Sequence, residues 1–237
     1  MEIQGASALV TGAGRGIGRA VALALGRAGA RVTAVSRTLA ELEAVVREIE
    51  GAGGRARAFA GDLCDPGTGG RAVQAAVDAH GGLQVLVNNA GVGAFGDLAE
   101  MTDEAWDRLI ATNLTAVFRV TRAALPHLAR SGGHVFMISS LAGSNAIAGM
   151  AAYCASKAAL DQLAACLMLE VRQKGVKVTT IAPGSVDTGF GGGPRGDTSW
   201  MLQSDDVAGA VMDLLGTRDG AHLSRVEMRP ARPQKRV

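Results

Sequence analysis

Aromatic rings are scarce in this chain: five Phe, two Trp and a single Tyr make up 3% of 237 residues. Hydrophobic residues nevertheless reach 48%, so the core must be built from Ala, Val, Leu, Ile and Met. Cysteine is scarcer still. Cys64, Cys154 and Cys166 are an odd, widely spaced set, which argues against a disulfide-stapled fold and against paired metal-ligand spacing. The four histidines, His80, His127, His134 and His222, are too dispersed for a local zinc motif, so no metal is expected. Charge of one sign is also missing. Twenty-four Lys+Arg against 22 Asp+Glu leave a net +2, which gives no support to a nucleic-acid partner. Long apolar runs are absent as well, because charge or glycine interrupts each segment before the ~18 residues of a membrane span. The first eight residues carry an acid and no basic region, unlike a secretion signal, and a cytoplasmic location is expected.

Glycine is what the chain has in excess. Its 33 copies are about twice the usual ~7% share, yet there is neither a collagen period nor a long Gly/Ser or Pro tract. The glycines are therefore read as backbone positions that need a close approach.

Short β-rich runs alternate with longer helical patterns. Strands are expected at Ala6–Thr11, Arg31–Ser36, Arg55–Ala60, Leu83–Asn88, His134–Ser139, Lys177–Ala182 and Arg225–Met228. Helices are expected at Gly16–Ala28, Leu39–Glu50, Gly70–His80, around Asn113–Ala129 and at Ala152–Gln173. This order predicts an α/β fold: a single-domain, Rossmann-like, doubly wound parallel sheet spanning residues 1–237, covered by helices on both faces. In Leu39–Glu50, Leu42, Val45, Val46 and Ile49 share an inward face, while Glu41, Glu43, Arg47 and Glu50 meet water. Ala158–Leu169 keeps only a thin polar face, which implies burial against a second copy of the chain or deep within one copy.

TGAGRGIG, Thr11–Gly18, joins the first strand to the first helix. Gly12 permits a sharp turn, Gly16 and Gly18 permit close packing or phosphate approach, and the helix N-terminus favours an anion. After the second strand there is no acid to accept bonds from a bare ribose. Ser36 and Arg37 stand there instead, and Arg15 adds a nearby positive charge, so the pattern points to NADP(H).

Tyr153 and Lys157 are four residues apart and can share a helix face, where a cationic lysine favours tyrosinate. Such a phenol suits proton transfer during alcohol oxidation or carbonyl reduction. Ser139 and Ser140 end the fifth strand, and strand alternation turns only one of them toward a pocket without choosing between them. NNAG at Asn88–Gly91 suits a ligand-facing turn or a scaffold turn, and Asn113 at an expected helix start is consistent with an N-cap.

In combination the chain resembles the short-chain dehydrogenase/reductase family over nearly its whole length. The resemblance rests on TGAGRGIG, Asp62–Leu63, NNAG, Asn113, Ser140, Tyr153 with Lys157, and PGSVDT at Pro183–Thr188. The family's serine lies thirteen residues before its tyrosine, which selects Ser140. The resemblance implies that Tyr153 is the general acid/base, that Ser140 orients the substrate oxygen, and that Lys157 holds the nicotinamide ribose. Asn113 resembles the residue that supports Lys157 through a water and a local helix distortion. The implied cofactor contacts are Gly12, Arg15, Gly16, Ile17 and Gly18; Ser36 and Arg37; Asp62, near adenine, and Leu63; Asn89, Ala90 and Gly91; Tyr153 and Lys157; and Pro183, Gly184, Val186 and Thr188.

The resemblance implies an NADP-dependent oxidoreductase acting on a small carbonyl or alcohol substrate, as a homodimer or homotetramer. Two other readings are a 3-oxoacyl-carrier-protein reductase, with an acyl-carrier substrate, and a catalytically silent NADP-binding sensor or scaffold. Phe190, Trp200, Ala148 and Met150 are candidate pocket residues by family position. They suggest an uncharged, partly apolar carbonyl compound. In the region Gly189–Leu202, where the family places part of its substrate cover, a compact GGGP loop stands in place of a long lid, and the basic ending HLSRVEMRPARPQKRV departs from the acyl-reductase pattern.

Overall fold

The computed structural model describes residues 1–190 and 196–232. Seven strands form one parallel sheet in the order β3-β2-β1-β4-β5-β6-β7. They are β1 Ser7–Thr11, β2 Arg31–Ser36, β3 Arg55–Ala60, β4 Val85–Asn88, β5 His134–Ile138, β6 Lys177–Pro183 and β7 Arg225–Met228. The helices are α1 Gly16–Arg27, α2 Leu39–Gly51, α3 Thr68–His80, α4 Asp103–Ile110, α5 Ala116–Ser131, α6 Ala151–Val171 and α7 Ser204–Leu215.

The central strands are mostly apolar because both faces of the sheet are covered, with Ser7, Thr11, Asn88 and His134 among the buried polar exceptions. Successive side chains point to opposite faces. Ala8, Val10, Val85, Val87 and Phe136 meet Val21, Leu25, Leu42, Val45 and Val211 from α1, α2 and α7. Leu9, Leu86, Val135 and Met137 meet Val73, Val120, Leu160 and Leu167 from α3, α5 and α6. Phe136, Leu9, Leu86 and Ile181 are among the largest fully buried side chains, and each such burial contributes about 1.5–3 kcal/mol. His134 belongs to this core. It stacks on Phe136 with centroids 4.0 Å apart and lies 2.8 Å from the Thr179 hydroxyl, and burial pushes its pKa down to about 3.

Two helices depart from the sequence expectation. The one expected to begin at Asn113 begins at Asp103, where Thr102 Oγ1 accepts the Ala105 amide at 3.2 Å, and five residues of π-helix, Ala111–Thr115, join α4 to α5. Asn113 is thus inside a helical run and is not its N-cap. Helix α7 has no counterpart in the expected helices; it lays Val207, Val211, Leu214 and Leu215 on the α1 layer. Residues 191–195 of the glycine-rich loop and 233–237 of the basic ending lie outside the described residues. Among the described residues no helix is long and apolar enough to cross a membrane, no group of His, Cys, Asp and Glu is placed to hold a metal ion, and the three cysteines are free.

Strand order reverses between β1 and β4. From β1 the chain builds outward through β2 and β3, then returns to add β4 on the other side. Loops leaving the C-terminal ends of β1 and β4 therefore diverge and leave a crevice between them.

Candidate active site

The crevice opens into a cavity of about 1220 Å³, larger than the ~300–1,000 Å³ of an ordinary small-ligand pocket. Gly12, Gly14, Arg15, Gly16 and Ile17 form one wall. Gly12 and Gly16 have φ of 65° and 54°, the left-handed region that favours glycine. Gly18 does not line the cavity. It packs behind the loop, where an added Cβ would collide with the Gly12 carbonyl oxygen and the Asn89 amide.

Asn89 explains why the loop keeps its shape. Its Nδ2 donates to the carbonyls of Thr11 at 3.0 Å and Gly12 at 3.2 Å, while Thr11 Oγ1 accepts the backbone amides of Asn89 and Ala90 at 2.9 and 3.0 Å. Thr11, which the sequence marks only as the first residue of the motif, thus clamps the β1 and β4 ends together. Ala90 and Gly91 continue along the cavity wall.

At the end nearest β2 and β3, Ser36, Arg37, Asp62 and Leu63 line the cavity with Arg15. Asp62 Oδ1 accepts the Cys64 amide at 2.9 Å, which fixes this turn. Glu41 departs from the sequence expectation. Expected on a solvent face, it lines the same rim, with its carboxylate against Gly14 and near Ser36 Oγ, where an added Cβ on Gly14 would lie 2.5 Å from Oε2. The glycine-flanked helix start, two arginines and the serine hydroxyl suit a phosphorylated dinucleotide.

At the opposite end, Ser140, Tyr153 and Lys157 converge. Tyr153 is 7% exposed. Burial raises its phenol pKa, the Ser140 hydroxyl acts in the opposite direction, and Cys154 adds a further upward push. Ser140 Oγ also accepts the Ala142 amide at 3.1 Å. The Ser139 side chain, one residue earlier, is buried with its Oγ unpartnered. Lys157 Nζ donates to the Ile138 carbonyl at 2.9 Å and stands 5.7 Å from the Tyr153 ring centroid. Its burial pushes the ammonium pKa down to about 8, against an upward pull from Asp161.

Asn113 is buried and does not line the cavity. The π turn admits an extra residue, marked by the Ala116 amide donating to the Ala111 carbonyl. Asn113 Oδ1 accepts the Val92 amide at 2.8 Å, and Nδ2 donates to the Val92 carbonyl at 2.9 Å and to Ser156 Oγ at 3.1 Å. Ser156 Oγ in turn donates to the Tyr153 carbonyl at 2.8 Å. Asn113 therefore fixes the β4 loop against the helix that carries Tyr153 and Lys157.

Pro183, Gly184, Val186 and Thr188 line the remaining wall. Val186 forms an isolated bridge with Leu202, so the segment leading into α7 holds that wall in place. Beside Tyr153 the cavity mouth is apolar, with Val92, Phe95, Ile147, Met150, Phe190 and Met201. The Phe190 ring lies 5.7 Å from Tyr153 and 6.4 Å from Phe95. Ala148 and Trp200, two of the four candidate pocket residues, do not line the cavity; the Trp200 indole instead donates to the Asp197 carbonyl at 3.0 Å. Phe95, which no motif marks, takes their place.

The pattern of the family described as short chain dehydrogenase matches residues 6–195. The chain is 36% identical over 221 residues to 2,5-dichloro-2,5-cyclohexadiene-1,4-diol dehydrogenase LinX of Sphingobium indicum, covering 93% of this chain and 88% of that protein. It is 40% identical over 193 residues to D-erythrulose reductase of Gallus gallus, covering 81% and 75%. A crystal structure of a metagenomic short-chain oxidoreductase in complex with NADP superposes with a TM-score of 0.87 at 40% identity, covering 98% of this chain and 100% of that one.

Proposed function

The chain belongs to the short-chain dehydrogenase/reductase family, and from that premise we propose that it reduces an apolar ketone or aldehyde with NADPH. The observation that carries this reading is one continuous cavity with a glycine loop and two arginines at one end and Ser140, Tyr153 and Lys157 at the other. Relatives named as a reductase and a dehydrogenase support carbonyl/alcohol chemistry, and an NADP complex among the similar structures supports the cofactor. NADPH, when bound, supplies the hydride.

Arg37, Arg15 and Ser36 would hold the ribose phosphate of the bound cofactor, and the amides of the first turn of α1 would favour its pyrophosphate. Tyr153 donates its phenolic proton to the substrate oxygen as negative charge develops there. Ser140 donates a hydrogen bond that orients that oxygen. Lys157 would hold the nicotinamide ribose of the bound cofactor, and its positive charge would offset the phenolate left behind. The apolar mouth formed by Phe95, Phe190, Ile147 and Met150 takes up the substrate body and excludes water. The working particle is a homodimer or homotetramer. Trp106 on α4, Phe118 on α5 and Leu169 on α6 are 39%, 44% and 62% exposed in one copy, and a solution mass of a monomer at assay concentration would refute that assembly.

The test is turnover across a panel of apolar ketones and aldehydes, with a carrier-linked β-ketoacyl group included. NADPH-dependent alcohol formation is expected. NADPH binding without turnover on any member points instead to a sensor, and turnover confined to the carrier-linked group to an acyl reductase. Arg37→Ala lowers kcat/KM for NADPH by about 10–100-fold, as loss of a charge-assisted phosphate contact implies, with little change for NADH. Equal losses with both cofactors, or a wild type that prefers NADH, contradict the assignment.

A further inference from the structure

Lys157 is a buried cation whose polar neighbours are mostly uncharged. The Ile138 carbonyl accepts from it, Tyr153 lies beside it, and Asn113 Oδ1 and Lys157 Nζ both approach Gly91, 3.3 and 3.8 Å from where its Cβ would stand. Cys154 is the remaining titratable group beside Tyr153. Against the downward push of burial, the charge of Asp161, one helical turn further along α6, pulls the Lys157 pKa up.

Asp161 is held from outside the cavity. Its side chain is 14% exposed. Oδ2 accepts Arg225 Nη1 from β7 at 2.7 Å, and Oδ1 is buried with no hydrogen-bond donor. The turn after β5 presses onto the same place: a Cβ on Gly143 would lie 2.5 Å from Asp161 Oδ2 and 3.1 Å from the Lys157 carbonyl. Arg225 is shared with Ser144 Oγ at 3.2 Å and Glu227 at 3.3 Å, and Glu227 also pairs with Arg229 at 2.7 Å. Charges of alternating sign thus run from Asp161 to the edge strand, with Lys157 one helical turn before Asp161 on α6.

Resting on the reading of Tyr153 and Lys157 above, we propose that Asp161 and Arg225 are positioning residues that set the charge of Lys157: Asp161 keeps the buried ammonium protonated, and Arg225 limits how strongly it does so. A carboxylate in a poorly solvated site acts across one helical turn because little water screens it. The two residues therefore have opposite signs of effect. Asp161→Asn removes the negative charge nearest Lys157, leaves Arg225 paired with Glu227, and makes Lys157 release its proton more readily. Arg225→Met leaves Asp161 unshared and makes Lys157 hold its proton more firmly.

Lysine is rare enough to read this directly, since the chain holds only Lys157, Lys174, Lys177 and Lys235. In protein made with isotope-labelled lysine, the side-chain NMR signal missing from Lys157→Met identifies Lys157, and its titration needs neither substrate nor turnover. The midpoint is expected to fall by about one pH unit in Asp161→Asn and to rise by about half a unit or more in Arg225→Met. Arg225→Lys, which keeps the charge, stays near wild type. A Lys157 midpoint unchanged in either of the first two variants, or moving the same way in both, overturns the proposal. Should either variant fail to fold, the sign in the other decides. The expected shifts in a protein that turns over no carbonyl compound would leave this pair standing and reject the reductase reading; turnover with an unmoved midpoint does the reverse.

Discussion

Tyr153→Phe lowers kcat by about 1,000-fold while NADPH affinity stays within about threefold of wild type, in the range for loss of a positioned general acid. The substitution removes one oxygen. The ring remains able to fill its buried place beside Phe190, and Lys157 retains its bond to the Ile138 carbonyl, so folding and cofactor binding are preserved. What is lost is the phenolic proton at the substrate oxygen: the Ser140 hydroxyl is a far weaker acid, and the Lys157 ammonium is engaged by the Ile138 carbonyl. Turnover measured beside a fluorescence titration of NADPH separates the two effects. A folded, NADPH-binding Tyr153→Phe protein with kcat within tenfold of wild type would remove Tyr153 from the proton-transfer role.

Gly18→Ala acts at the other end of the cavity and through geometry alone. In a helix, alanine is favoured over glycine by about 1 kcal/mol, so propensity predicts a gain. At Gly18 the clash outweighs it, because the atoms in the way are the Gly12 carbonyl and the Asn89 amide, both fixed by the hydrogen bonds that join the β1 and β4 ends. Forcing them apart costs about 1–3 kcal/mol and shifts the loop that faces the cofactor. The variant is expected to melt at lower temperature and to bind NADPH at least about tenfold more weakly. Gly209→Ala on α7, where an added Cβ meets nothing within 4 Å, is the matched control and is expected to gain about 0.5–1 kcal/mol. Equal behaviour of the two would mean that the close approach at Gly18 carries no weight.

The contrast between those glycines shows what sequence can and cannot deliver. Strands buried on both faces read as apolar runs, so the sheet is legible from Val10, Val32, Val87 and Phe136 outward. The local motifs are legible for a related reason, since a phosphate turn or a Tyr–Lys pair is written within a few residues. Helix α4 escapes a periodicity reading although Thr102, Asp103 and Glu104 spell a helix start, because at eight residues, Asp103–Ile110, it spans little more than two turns, too short for a repeated apolar period. Helix α7 begins at a Gln203 cap whose reciprocal partner is Asp206, a less common cap signal than Ser or Thr. Asn113 reads as a helix start because an extra residue in a helical turn leaves no trace in a periodicity count.

Contacts between distant segments are the least legible. Glu41 sits on a helix whose pattern predicts water on that side, yet the glycine loop of another segment folds over it. Phe95 and Phe190 meet across ninety-five residues of chain, and Asp161 finds Arg225 only once β7 has joined the sheet. In each case the pairing is a product of sheet order and has no local spacing to announce it.

The proposed hydride transfer to a carbonyl carbon in this cavity, with Tyr153 supplying the proton, is open to one direct measurement. NADPH carrying deuterium at its transferable position, incubated with wild-type protein and an apolar ketone that it turns over, tests both halves at once through mass analysis of the alcohol. The expected product carries one deuterium on the carbinol carbon and a hydroxyl proton drawn from solvent, with no labelled alcohol above trace in Tyr153→Phe. Alcohol without deuterium on that carbon, or equal labelling by the Tyr153→Phe protein, would contradict it.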